Sequence, residues 1–168
     1  MIAGLSIDAF ITLHVVISLI GIATGLVAMA ALAAGRWRAG WQAAFLVTTA
    51  LTSLTGFLFP FSGVTPAFVF GVVSLLLLVI AVAVLPVRAR RRWAGIAYAV
   101  SATLALYLNL VVLVVQSFQK IPALQRLAPT QSEPPFLAGQ VLVLLVAVAL
   151  GWLSAARSRP TSLQAARG

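Results

Sequence analysis

One histidine, two acids and a few amides are almost the only groups in this sequence able to do chemistry, and they sit in or beside long hydrocarbon runs. His14 lies in the first apolar run, Thr52 and Thr55 in the second, Asn109 and Gln116 in the fourth and Gln140 in the fifth. At about 100° of helical rotation per residue, Asn109, Gln116 and Lys120 share a face with Tyr98, Ala102 and Ala105. A face of small residues and amides packs on protein or lines a cavity, because lipid offers an amide no partner. Depth is the second clue. At about 1.5 Å per residue, His14, Thr52, Asn109 and Gln140 fall in one layer, roughly 6–12 Å from one surface. The expectation is a single polar pocket of His14, Thr52, Thr55, Asn109, Gln116 and Gln140, with Lys120 and Glu133 at its mouth. The bland alternative is that these groups bond only across helices, at about 0.6 kcal/mol each, or back to their own backbone.

The inventory excludes more than it admits. With no cysteine there is no disulfide, thiolate metal site or cysteine nucleophile. A six-coordinate haem needs two axial ligands, whereas His14 stands alone and Met29 lies about 22 Å along the same helix. Haem, metal clusters and hydrolytic triads are therefore not expected, no catalytic residue is named, and the balance leans away from an enzyme. A proton or ion path would need polar groups in both halves of the membrane, and here they stop near the middle. Two readings survive. In one, the pocket binds a small amphipathic ligand such as a quinone or a lipid. In the other, the chain is a non-catalytic assembly subunit that docks a membrane partner through the 118–135 loop.

The elements that position these groups follow from composition. Of 168 residues, 62% are hydrophobic and 8% charged, with a mean hydropathy of +1.14. No soluble domain of this size hides that much apolar surface. The expected fold is an all-α membrane bundle in one domain over 1–168, with spans near 10–34, 41–59, 66–85, 94–118 and 136–156. The first run carries Asp8 and no early Lys or Arg, so it reads as a span rather than a cleaved leader. In the fourth connection, Phe118, Ile121, Leu124 and Leu127 recur every third residue and predict a short interfacial helix near 118–128. The segment APTQSEPP after it reads as extended, held open by its prolines.

Of the 11 basic residues, nine lie in the first connection, the third connection and the tail. Those segments share a side in a five-span chain, which places the N-terminus outside and the C-terminus in the cytoplasm. Trp37, Trp41, Trp93 and Trp152 fall at the same interface. The net charge of +9 is thus a topology signal in contact with anionic lipid, not a nucleic-acid surface. In the first span His14, Ser18, Gly21, Gly25 and Ala28 share a face. Its GxxxG, Gly21 and Gly25, would admit a neighbouring span or a second copy of the chain.

The segments LHVVISLIGIATG, TSLTGFLFPF and LNLVVLVVQSFQKIPALQRLAPTQSEPPF resemble a family of small uncharacterised bacterial inner-membrane proteins. The resemblance runs from His14 to Phe136. It implies a multi-pass protein of a bacterial inner membrane and brings no activity or catalytic residue with it.

Overall fold

Lipid gives peptide groups no hydrogen-bond partner, so a chain of this composition closes its backbone bonds within helices. The computed structural model describes residues 2, 4–59 and 65–158. Its helices are α1 (Ile7–Ala33), α2 (Ala39–Gly56), α3 (Pro66–Val84), α4 (Arg92–Lys120), α5 (Pro122–Leu127) and α6 (Pro134–Ala156). Among the described residues the only β feature is an isolated bridge between Ile2 and Leu5. Local chemistry sets the ends. Ser6 caps α1 by accepting from the Ala9 N–H, and Thr65 caps α3 with Pro66 behind it. Gly35, at φ 75°, closes α1 in the left-handed conformation.

Four helices, α1, α3, α4 and α6, are long and apolar enough to cross a membrane. The 18-residue α2 is not among them, because Gln42 and the hydroxyls of Thr48, Thr49, Thr52, Ser53 and Thr55 dilute its apolar content. The fourth helix runs further than the sequence indicates, through Lys120. Pro122 then forces a break, so the expected 118–128 helix becomes the six-residue α5.

Packing centres on α4. Ala102, Ala105 and Leu106 are fully buried there, α3 and α6 flank it, and α1 lies along α2 while touching α4 and α6. The small-residue face of α1 meets α2 as its spacing indicates. A Cβ built on Gly21 would meet Thr48 Oγ1 at 3.2 Å, and one on Gly25 would meet Phe45 at 2.7 Å and Leu106 at 2.8 Å. The Gly21–Gly25 groove is therefore filled by the chain's own α2 and α4. A homodimer through it would have to displace Phe45.

One end of the bundle holds a buried polar network. The Gln42 Nε2 donates to the Ala28 carbonyl at 2.9 Å, and the Tyr98 hydroxyl donates to Gln42 Oε1 at 2.7 Å. Both side chains are 1% exposed. Trp37 packs edge-on against Tyr98, and the Arg88 guanidinium sits 3.1 Å above the Trp37 ring. This corrects the expectation that the polar groups stop near the middle of the bundle. Gln42, Thr103 and Ser154 are buried there as well. Burial pulls the Arg88 proton affinity down and the facing Tyr98 pushes it up, yet a guanidinium stays charged at any physiological pH.

Gly25→Ala should cost about 1–3 kcal/mol by overpacking against Phe45 and Leu106. Gly40→Ala, where a Cβ meets nothing within 4 Å, should gain about 0.5–1 kcal/mol from helix propensity. Thermal unfolding in detergent reads both, and equal effects would contradict the tight α1–α2–α4 seam.

Candidate functional site

The polar residues selected from the sequence gather toward the end opposite the arginines, but not as one cluster. His14 on α1 and Thr55 on α2 do meet, with Nδ1 and Oγ1 2.8 Å apart. A hydroxyl has one proton, and that of Thr55 already goes to the Leu51 carbonyl at 2.7 Å. With that proton directed to Leu51, the Nδ1–H tautomer of His14 is the one that donates to Thr55 Oγ1. In the neutral ring this leaves Nε2 bare, an acceptor with no partner among the described residues. Phe59 stands edge-on to the imidazole at 5.3 Å between ring centres, and Phe10 packs on Phe59. Gly56 lies beside the ring, where a Cβ would make ordinary contact with His14 Cε1 at 3.7 Å. One turn deeper, the Thr52 hydroxyl is buried with no hydrogen-bond partner.

The amides go elsewhere. Asn109 is half-buried, and its Nδ2 donates to the Ala105 carbonyl of its own helix at 3.1 Å. Gln116 and Lys120 are exposed, and Gln140 is half-buried on α6. Phe118 meets Phe136 edge to face, Gly139 faces Val114 and Gly151 faces Thr103. Helices α4 and α6 are thus antiparallel, with Gln140 near the level of Val114. Asn109 stands only three residues beyond Leu106, which meets Gly25, whereas His14 stands eleven residues beyond Gly25, so the two are not level, and no hydrogen bond joins these amides to His14. Tyr98, Ala102 and Ala105 are buried on the shared α4 face, and burial fades beyond Leu110, where that face has less helix against it.

Glu133, expected at the pocket mouth, spends its carboxylate on the turn beside it. Its carboxylate accepts from the backbone N–H and hydroxyl of Thr130 at 3.1 and 2.9 Å and from the Ser132 N–H at 3.0 Å. These bonds fold 128–133 into a compact turn where the sequence indicates an extended strap. Gln131, at φ 59°, donates from Nε2 to the Val115 carbonyl at 3.1 Å and ties the turn to α4. Desolvation pushes the Glu133 carboxyl up, but the bonds from Thr130 and the neighbouring backbone together hold it below the ordinary carboxylate range. Gln42 and Gln131 are the polar residues the sequence reading passes over. Each had a signal: an amide one residue beyond an interfacial tryptophan, and an amide between two turn-forming hydroxyls.

Among the described residues no three His, Asp or Glu side chains come together. No family model matches the chain, and no curated protein or solved structure matches it.

A carboxyl held low in the folded loop orders it fully at neutral pH, and that order declines as pH falls through the lowered value. Protection of the Thr130 and Ser132 amides from hydrogen exchange should follow this course. Glu133→Gln should lose the protection at neutral pH. Unchanged protection in the variant would show that the turn stands without the carboxylate.

Proposed function

We propose that the chain crosses a bacterial inner membrane five times, arginine end in the cytoplasm, and that the His14 corner binds a small amphipathic molecule at the outer face. The arginine asymmetry and the resemblance to small inner-membrane proteins support the setting. The observation that carries the ligand reading is the His14–Thr55 pair, which leaves Nε2 unpartnered beside Phe59. A bare ring nitrogen accepts a hydrogen bond, so the ligand brings a hydroxyl and an apolar body. A quinol or a lipid alcohol fits this better than a quinone carbonyl, which can only accept. Gln116 and Gln140 are available to a ligand longer than the His14 corner, and Asn109 lies deeper on α4. Lys120 remains a cation at the rim.

The second reading is an assembly subunit that docks a membrane partner through the 118–135 loop. It draws on the hydrogen-bonded turn at 128–133 and on Ile121, Leu127 and Leu137, which stand exposed around it. Neither reading makes the chain an enzyme, and neither involves nucleic acid.

Two experiments test the proposal. The chain has no cysteine, so single cysteines report topology cleanly. Gly40→Cys should react with an impermeant maleimide only from the cytoplasmic side and Thr65→Cys only from the outside. Labelling of both from one side would mean that α2 does not cross. For the ligand, a short-chain benzoquinol should bind purified protein more tightly than its quinone. His14→Leu should weaken the quinol by roughly tenfold, the worth of one hydrogen bond to a buried group. Equal affinities in wild type and variant would sink the His14 site.

A further inference from the structure

A second feature lies between the middle of α2 and the later half of α3, independent of the His14 corner. A groove of about 290 Å³ runs between α2 and α3, bounded by Leu46, Val47 and Ala50 on one side and Leu78, Val79 and Val82 on the other. Leu46 and Leu78 form its buried floor, while Val47, Val79 and Val82 are exposed along its rims. All its lining side chains are apolar, so in a bilayer it takes hydrocarbon.

Its lower end is what makes it selective. Val82 stands within one turn of the end of α3, where the 85–91 connection begins, and α2 starts at Ala39, directly after Arg38. Arg38, Arg90 and Arg91 are exposed at that end. Arg88 is different, because its guanidinium is already held over Trp37. Both acids of the chain, Asp8 and Glu133, belong to the opposite end. An apolar channel thus runs toward exposed arginines that have no Asp or Glu side chain beside them among the described residues.

We propose that this groove holds an acyl chain of an anionic phospholipid whose phosphate lies against Arg38 and Arg90. Arginine suits that role, since its planar fork takes two phosphate oxygens at once. Trp41 and Trp93, both exposed at the same end, flank the headgroup level. The lipid would join α2 to α3, which α2 contacts less closely than it does α1.

The test is native mass spectrometry of the full chain released from detergent with added phosphatidylglycerol or phosphatidylcholine. Wild type should retain phosphatidylglycerol preferentially. Arg38→Gln and Arg90→Gln should each reduce that retention about fivefold and leave phosphatidylcholine unchanged. Val79→Trp should fill the groove and reduce both lipids. Val79 is 66% exposed, so the ring has room and the fold survives. Leu145→Trp, on the exposed face of α6, should change neither. Retention unaffected by Val79→Trp, or selectivity unaffected by either arginine change, would overturn the site.

Discussion

Gln42 is the constraint on which the arginine end of the bundle depends. An amide in a hydrocarbon interior costs several kcal/mol unless its donor and acceptor are both used. Here each is used on a different helix: the Ala28 carbonyl on α1 takes the N–H, and the Tyr98 hydroxyl on α4 supplies the proton for the oxygen. One side chain of α2 thereby fixes the height and rotation of two neighbours. The chain extends outward through Trp37, which covers Tyr98, and Arg88, which covers Trp37. The connection between α3 and α4 is so fastened to the core it caps.

From that anchor the packing proceeds toward the other end by steric fit. Gly25 lets α1 approach Phe45 and Leu106, and Gly21 admits Thr48. Most hydroxyls along this seam bond back to their own helices, as Thr48 does to Ala44 and Ser18 to His14. They let backbones come close without demanding a partner. Only near His14 does a polar contact again cross between α1 and α2, and there the arrangement is incomplete in a way the Gln42 network is not. One nitrogen of the ring is used, and the other is not. A ligand site is proposed at that corner for this reason, and the closed network at the opposite end carries no such proposal.

Much of the fold could be read from the residues. Apolar runs of span length locate α1, α3, α4 and α6, and the Gly21–Gly25 spacing marks the face of α1 that meets α2. The ends were blurred because hydropathy does not see a break such as that imposed by Pro122, or a cap such as Thr65. The site was legible only in part: His14 and Thr55 meet, and the amides do not join them. Counting residues gives a position along each helix but not the offset between helices, so Asn109, counted level with His14, lies deeper, near where Leu106 meets Gly25. Rotation depends on which neighbour each helix chooses, and the Asn109 amide, placed where α4 packing loosens, turned to its own Ala105 carbonyl. Gln42 escaped notice because its pairing is non-local: nothing near residue 42 announces Tyr98.

The account turns on one ring nitrogen. The chain contains a single histidine, so nitrogen-15 labelling of histidine gives the spectrum of His14 alone in a lipid bilayer. The hydrogen-bond arrangement predicts a neutral ring protonated on Nδ1 and bare on Nε2 at neutral pH, with the Nε2 resonance shifting when a short-chain quinol is added. A ring protonated on Nε2 instead, and indifferent to the quinol, would contradict it.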